Sequence, residues 1–134
     1  MKAQQIQLVQ DSFNLLSDET ERVSALFYQR LFDINPSLRS LFSQDIAVQG
    51  AKFMRTLSML VWGLHQSDRF TTLAHEVGQH HLAYGVRADY YQPVGEALLW
   101  ALQQSLGEQF TPDVEDAWQA AYDLMSETMQ SPPL

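Results

Sequence analysis

Two adjacent histidines, His80 and His81, are the side chains of this sequence best suited to bind a metal ion. They lie near the end of residues 71–86, where apolar residues recur at steps of three and four, as on one face of a helix. Neighbouring residues of a helix point about 100° apart, so the two imidazoles must face different surroundings. We predict that His81, one turn after Val77, faces the interior and that His80 faces solvent.

An interior imidazole is commonly a hydrogen-bonded core residue, and it can also ligate a metal ion. A zinc site needs three or four converging ligands, and His75, His80 and His81 cannot converge from one helix face. The sequence has no HExxH motif and no cysteine, which excludes disulfides, thiolate nucleophiles and cysteine-ligated zinc or iron–sulfur sites. It also lacks the motifs of serine nucleophiles, phosphate-binding glycine loops and paired-carboxylate hydrolases. The histidines alone leave a core role and a metal-ligand role open.

A second group of residues with usable chemistry lies earlier in the chain. Tyr28 offers a phenol, and Gln49 offers an amide near the start of the most apolar segment. Phe53 follows Gln49 by one helical turn on the same face, and Phe42 follows a turn opened by Pro36. Each of these residues, taken singly, is also compatible with an interfacial tyrosine, a solvated glutamine or a core aromatic.

The elements that must position these side chains are helical, and no segment alternates as a strand does. Asp45 and Thr111 are predicted N-caps, and Gly85 and Gly107 are predicted to end their helices. The predicted helices cover residues 3–16, 19–32, 45–64, 71–86, 88 or 89 to 106, and 112–129, with a short turn over 36–41, a loop at 43–44 and a tail at 131–134. We therefore expect an all-α fold.

Two of these segments carry predictions about burial. The apolar stripe of residues 45–64 is too wide for a surface helix, so we expect that helix to be mostly buried, with Val48 and Ala51 among its apolar positions. In the histidine helix, the buried stripe is predicted to run from Leu73 through His81 to Tyr84.

The composition limits the partners that this protein can have. The 134 residues carry a formal net charge of −8, which argues against nucleic acid or an anionic membrane as a partner. The N-terminus has no apolar core of signal-peptide length. The longest apolar run, at residues 59–64, is far shorter than the roughly 20 residues that cross a bilayer. We expect one soluble, cytoplasmic domain over residues 1–134.

The ordered set of these residues resembles the globin family over residues 4–129. It is most similar to single-domain bacterial globins and to the globin domain of flavohaemoglobins. Phe42 follows Pro36 by six positions and His81 follows Gln49 by 32 positions, as in that family. The residues that carry the resemblance are Leu26-Phe27-Tyr28, Asn35-Pro36, Leu41-Phe42, Gln49, His81, Tyr84-Gly85-Val86, Tyr91, Val94-Gly95-Glu96, Leu98-Leu99, Ala117-Trp118 and Tyr122.

The resemblance implies a globin fold of about six to eight helices around haem b. It implies that His81 is the proximal iron ligand, with the Val77 carbonyl as a local candidate acceptor for the other ring N–H. Phe42 would pack on the porphyrin, and the far side of the iron would be lined by Tyr28, Gln49 and Phe53. The implied cofactor-binding set is completed by Tyr91 and Val86.

The implied function is reversible binding of O₂, and also of NO and CO. Bound O₂ carries partial negative charge, so the Tyr28 phenol and Gln49 amide are suited to donate hydrogen bonds to it. Two such bonds, each worth roughly 1–1.5 kcal/mol, would slow O₂ loss by roughly ten- to a few-hundred-fold. This suits retention of O₂ better than bulk delivery, and it is compatible with dioxygenation of NO to nitrate using an external reductase.

The sequence also departs from the flavohaemoglobin pattern. Those proteins continue into a flavin and nicotinamide reductase, whereas this chain ends at Leu134, so we expect no built-in reductase. Pro133 stands where the resemblance places a late glutamate, and Glu127 comes too early, so we expect a less electron-donating His81 and no peroxidase-like activity. Phe53 replaces an expected leucine, which predicts a tighter or gated pocket.

Two alternatives remain open at this stage. Some globin-like domains bind no haem and act as sensing or interaction modules. The chain is also compatible with a helical regulatory domain in which His81 is simply buried. A pigment on expression with haem would distinguish both from a haem protein.

Overall fold

The computed structural model describes residues 1–42 and 45–131, and this part of the chain contains no strand. Its α-helices are α1 (Ala3–Asn14), α2 (Thr20–Ile34), α3 (Ile46–Gly63), α4 (Ser67–Ala83), α5 (Tyr91–Leu106) and α6 (Pro112–Gln130). Short 3-10 turns cover Pro36–Leu41, Ala88–Tyr90 and Gly107–Gln109. The predicted all-α class is confirmed. The predicted loop at 43–44 and residues 132–134 of the predicted tail lie outside the described residues.

Local signals in the sequence set the helix ends. The Asp45 carboxylate accepts a hydrogen bond from the Ala47 amide over 2.8 Å, and the Thr111 hydroxyl accepts one from the Val114 amide over 3.3 Å. Gly85 and Gly107 follow α4 and α5 with φ of 84° and 56°, a region that favours glycine. All four predicted helix signals are therefore confirmed.

The helix bounds differ from the predicted ones where the first or last turn is polar. The histidine helix α4 begins at Ser67, four residues before the predicted start, because its first turn faces solvent and carries no apolar residue before the buried Phe70. Asp68 in that turn suits the positive end of the helix dipole. Helix α2 begins at Thr20 and ends at Ile34, two residues beyond the predicted end, and the next residue, Asn35, precedes a proline and is not helical.

Two predictions about burial were wrong. The helix expected to be mostly buried, α3, has only five buried residues among its 18. Val48 is 50% exposed and Ala51 is also exposed, because α3 packs through the face that carries Gly50, Met54 and Leu57. Tyr84 is 77% exposed rather than part of the buried stripe. It forms the C-cap of α4, where the chain has left the helical path that would have directed its side chain inward.

The helices that carry the predicted site residues pack in two separate sets. Helix α2 packs on both α3 and α5, whereas α4 packs mainly on α6. Trp118 of α6 is fully buried and donates from Nε1 to the Ser12 hydroxyl over 2.9 Å, which ties α6 to α1. Ser12 in turn donates to the Leu8 carbonyl, so the buried indole N–H and the buried hydroxyl both have hydrogen-bond partners.

Candidate functional site

The backbone of His81 is held at the end of α4. The Val86 amide donates to the His81 carbonyl over 2.8 Å, and the Gly85 amide donates to the Leu82 carbonyl over 3.1 Å. This pair of bonds is the Schellman pattern of a helix end. Val86, which sequence analysis placed in the cofactor-binding set, therefore contributes to this region at least through its backbone.

The two adjacent histidines differ in burial as predicted, since His80 is exposed and His81 is partly buried. Nδ1 of His81 lies 3.1 Å from the hydroxyl oxygen of Tyr91, so the Val77 carbonyl suggested by the sequence is not its partner. Burial, with a smaller effect of His80, lowers the pKa of His81 and keeps the imidazole neutral at pH 7. Among the described residues, no hydrogen bond occupies Nε2 of His81.

Tyr91 is itself fixed by α6. The Tyr122 hydroxyl donates to the Tyr91 carbonyl over 2.5 Å. The Tyr122 ring fits because residue 95 is glycine, where a Cβ would lie 2.6 Å from the ring. Burial raises the pKa of both phenols, so both stay protonated at neutral pH. Sequence analysis named Tyr122 only among the residues that carry the resemblance and assigned it no role in the site.

The carboxylate that flavohaemoglobins place near this tyrosine has no counterpart in the described part of the chain. Glu127 is exposed on α6, and no acidic side chain is paired with Tyr91 or His81 among the residues described. Pro133, which occupies the matching position in the sequence, lies outside them.

On the other side of the candidate site, Tyr28 is almost fully buried on α2, with 3% of its surface exposed. Burial raises the pKa of Tyr28 to about 12, and a side-chain hydrogen bond with Gln49 lowers it by a smaller amount. Gln49 is partly buried near the start of α3. The two predicted donors are thus brought together, and the phenol is neutral and able to donate.

Aromatic rings enclose Tyr28. The Phe42 ring meets it edge-on at 5.3 Å between centroids, and the Phe53 ring lies at 6.2 Å. Phe27 meets Tyr28 edge-on at 5.0 Å and stacks on Phe53 at 4.2 Å. Phe32 closes the cluster at 5.9 Å from Tyr28. Sequence analysis identified Phe42 and Phe53 as site residues and named Phe27 only among the residues that carry the resemblance.

The predicted site residues therefore form two groups. One group contains His81, Tyr91 and Val86, and the other contains Tyr28, Gln49, Phe42 and Phe53. No hydrogen bond or ring contact joins the two groups within the described residues. No three His, Cys, Asp or Glu side chains converge on a metal position in residues 1–42 and 45–131. A metal ion at His81 would therefore need ligands that these described side chains do not supply, such as those of a cofactor.

Comparison with known proteins identifies the family. A family model described as Globin matches residues 25–129, which include every predicted site residue. The chain belongs to the globin family. The resemblance stated from the sequence is thereby confirmed, and the fold of this globin is the expected one.

The curated relatives include flavohemoproteins. This globin is 27% identical over 127 residues to the flavohemoprotein of Bacillus subtilis, covering 91% of the chain and 31% of that protein. It is 30% identical over 125 residues to the flavohemoprotein of Chromobacterium violaceum, with the same coverage. It is 28% identical over 132 residues to an anaerobic nitrite reductase of Arabidopsis thaliana, covering 87% of the chain and 83% of that protein. The chain spans about a third of the length of the two flavohemoproteins.

A solved structure shares the fold. The crystal structure of a hexacoordinated haem protein from an anhydrobiotic tardigrade superposes with a TM-score of 0.87, covering 96% of this globin and 92% of that chain. The sequence identity is 17%, so this likeness concerns the fold alone.

Membership of the family supports a haem cofactor and haem-based binding of diatomic gases in general. The donor set fits such a cofactor. A neutral, partly buried imidazole with one nitrogen paired and the other unpaired is a suitable axial ligand. A porphyrin would supply the further metal ligands that the described side chains do not.

Other surface features lie away from this site. A cleft of about 650 Å³ lies between the end of α3 and the start of α4, where its walls include Met59, Trp62 and Leu73, and it contains none of the predicted site residues. Within the described ranges, no helix combines the length and the apolar character needed to cross a membrane.

Proposed function

We propose that His81 would hold haem b through Nε2 and that this globin reversibly binds O₂, NO and CO, with Tyr28 and Gln49 as the donors to the bound gas. The observation that carries the proposal is the pairing of His81 with Tyr91. Because Nδ1 of His81 is engaged by the Tyr91 hydroxyl, Nε2 is the ring nitrogen left for a metal, and with Nε2 on a metal the Nδ1 N–H would donate to the Tyr91 oxygen. The lowered pKa of His81 supports the neutral form that ligation requires.

When bound, haem supplies an iron atom that takes a diatomic gas and shifts negative charge onto it. The role proposed for Tyr28 and Gln49 is to donate hydrogen bonds to that charge. The phenol is suited to this role because its pKa of about 12 keeps it protonated across the physiological range. Burial of Tyr28 also excludes water, which would compete for the same hydrogen bonds.

We further propose that the protein supports dioxygenation of NO. The overall reaction joins one NO, one O₂ and one electron to give one nitrate, and the electron comes from an external reductase. Two donors that slow O₂ loss favour this reaction, because O₂ must remain bound until NO arrives. The similarity to flavohemoproteins over the globin portion is consistent with this activity.

The deciding experiment is an absorption spectrum of the purified protein in the ferric state, after reduction with dithionite, and after addition of CO or O₂. We expect a sharp haem band that shifts with each gas. Absence of a haem band even after addition of hemin would overturn the proposal in favour of a haem-free sensing or interaction module.

A second measurement tests the dioxygenation. Mixing the oxygenated protein with one equivalent of NO is expected to yield one nitrate per haem and leave the ferric protein. Formation of nitrite, or recovery of unreacted NO, would contradict this activity without affecting reversible gas binding.

A further inference from the structure

A second, smaller cleft lies between α3 and the turn that joins α1 to α2. Its volume is about 370 Å³, and the described residues that line it include none of the predicted site residues. Its floor is apolar, because Phe13 and Met54 are only 8% and 5% exposed. The remaining walls are formed by Asn14, Ser17, Thr20, Ala51, Arg55, Ser58 and Trp62. A concave space of this size with an apolar floor and few polar groups is typical of a small-molecule site.

Helix α3 forms the long wall of this cleft. The α3 residues of the wall recur at steps of three and four, which places them on one side of the helix: Ala51, Arg55, Ser58 and Trp62. The small side chains of Ala51 and Ser58 leave room above the floor. Arg55 and Trp62 are two helical turns apart, about 10 Å along the helix axis. The cleft is therefore an apolar channel with a guanidinium and an indole about two turns apart along one wall.

Arg55 is the charged residue of this cleft, and its guanidinium has no partner among the described residues. The other five arginines of the chain each contact a partner. These pairs are Arg22 with Glu19, Arg69 with Gln66, Arg87 with Asp89, Arg30 with the Trp100 ring and Arg39 with the Phe32 ring. A guanidinium keeps its charge and matches a carboxylate with two parallel N–H donors. Arg55 is therefore available to bind an anion.

The charges around the cleft also favour an anion. The charged residues of α3, Lys52 and Arg55, are both basic, and within the described part of the chain no acidic side chain lines the cleft. The net charge of −8 arises after Arg87, where eight acidic residues and no basic residue follow. The larger cleft between α3 and α4 has no such preference, because its walls carry both Glu76 and Arg69.

We propose that the smaller cleft binds a small amphiphilic carboxylate, with the carboxylate held by Arg55 and the apolar chain lying over Phe13 and Met54 towards Trp62. The distance from Arg55 to Trp62 along α3 suits a chain of about eight carbons. Trp62 is 43% exposed, so contact with such a chain removes apolar surface of its indole from water. The proposal does not depend on haem, because the cleft shares no residue with the candidate haem site.

The test is a calorimetric titration of the purified protein with octanoate, octan-1-ol and octylamine, which have the same chain and differ in the charge of the head group. Any haem is first reduced and saturated with CO, so that the carboxylate does not bind the iron. We expect octanoate to bind about tenfold more tightly than either of the other two. Non-specific adsorption to a protein with a net charge of −8 would instead favour octylamine. Butanoate, which is too short to reach Trp62 from Arg55, should bind about tenfold more weakly than octanoate, or weaker still.

Two variants, each with a matched control, test whether octanoate binds in this cleft. Arg55→Met keeps an apolar stem and removes the charge, so octanoate should lose its advantage over octanol. Arg69→Met removes a positive charge from the larger cleft and should leave the octanoate affinity unchanged. Ala51→Phe fills the smaller cleft from an exposed position, so octanoate and octanol should both bind more weakly by about tenfold or more. Ala47→Phe, which is exposed on α3 outside the cleft, should match wild type.

Four outcomes would overturn the proposal. Octylamine could bind as tightly as octanoate, or octanoate could show no binding at about 1 mM. Arg55→Met and Arg69→Met could weaken octanoate binding equally, which would reduce the effect to the charge of the whole protein. Ala51→Phe could bind octanoate like wild type, which would place the ligand elsewhere on the surface. Should Ala51→Phe not fold, Ala51→Leu occupies part of the same space and should likewise weaken the binding of both ligands.

Discussion

The hydroxyl oxygen of Tyr91 lies 3.1 Å from Nδ1 of His81, although the two residues belong to different helices. If His81 ligates iron through Nε2, its proton must be on Nδ1, and the Tyr91 oxygen must accept it. The Tyr91 carbonyl meanwhile accepts a hydrogen bond from Tyr122 over 2.5 Å. Backbone and side chain of Tyr91 are therefore both engaged, and the orientation of the His81 ring depends on α5 and α6 as well as on α4.

Removing the Tyr91 hydroxyl tests this dependence. Tyr91→Phe deletes the acceptor of the His81 ring N–H, which is worth about 0.5–1.5 kcal/mol. We expect haem to leave roughly two- to tenfold faster, as measured by transfer to an excess of an apo-globin acceptor. Tyr84→Phe removes a phenol that is 77% exposed and should leave the rate unchanged. Equal rates in wild type and Tyr91→Phe would show that the contact does not hold the imidazole.

The assignment of the proximal ligand is tested by substituting each histidine in turn. His81→Ala should abolish stable haem binding, because the substitution removes the proposed iron ligand. His80→Ala should retain haem, because His80 is exposed. The haem-to-protein absorbance ratio of the purified variants measures both effects. Loss of haem in His80→Ala with retention in His81→Ala would mean that the histidine register is wrong by one residue.

The parts of this structure that the sequence predicts correctly depend on local chemistry. Asp45 and Thr111 cap helices through their own side chains, and Gly85 and Gly107 turn the chain through their own positive φ. Such signals need no knowledge of the partner helices. The opposite burial of His80 and His81 follows in the same way from helical geometry.

The features of the structure that the sequence does not predict depend on how the helices cross. Val77 was the nearest acceptor for His81 along the chain, yet the observed partner, Tyr91, comes from the next helix. Val48 has the right residue type for the core, but α3 buries the opposite face. The contact of Tyr122 with Tyr91 spans 31 residues, and only the packing of α6 on α5 brings them together. The periodicity of apolar residues identifies the buried face of a helix, but it does not identify the helix that packs against that face.

The distal role of Tyr28 predicts a faster loss of O₂ when its hydroxyl is removed. In Tyr28→Phe, one hydrogen bond worth roughly 1–1.5 kcal/mol is lost, so the O₂ dissociation rate should rise about five- to tenfold. Stopped-flow displacement of O₂ by CO measures this rate. Tyr90→Phe, outside the aromatic cluster, serves as the control and should match wild type. An unchanged rate in Tyr28→Phe would remove this residue from the gas site.

The pH dependence of O₂ dissociation follows from the pKa of Tyr28, which burial raises from 10.0 to about 12. The phenol donates only while it is protonated, and a raised pKa holds the proton to higher pH. The donor is therefore present below the raised pKa and is lost as the pH rises through about 12. The O₂ dissociation rate should stay level past pH 10, where an unshifted tyrosine would already be half ionised. An acceleration centred near pH 10 would contradict the buried environment of Tyr28.

Two glycines, Gly78 in α4 and Gly63 at the end of α3, are expected to respond in opposite ways to substitution by alanine, because their neighbours differ. A Cβ at Gly78 would overlap the backbone carbonyl of Met129, which cannot move aside as a side chain can, so we expect Gly78→Ala to lower the free energy of unfolding by about 1–3 kcal/mol. A Cβ at Gly63 would meet Phe70 at 3.9 Å, which is an ordinary contact. Gly63→Ala should therefore raise the free energy of unfolding by up to about 1 kcal/mol, because alanine has the better helix propensity. Urea unfolding of the two variants measures both changes. A Gly78→Ala variant as stable as wild type would mean that α4 does not lie against the end of α6.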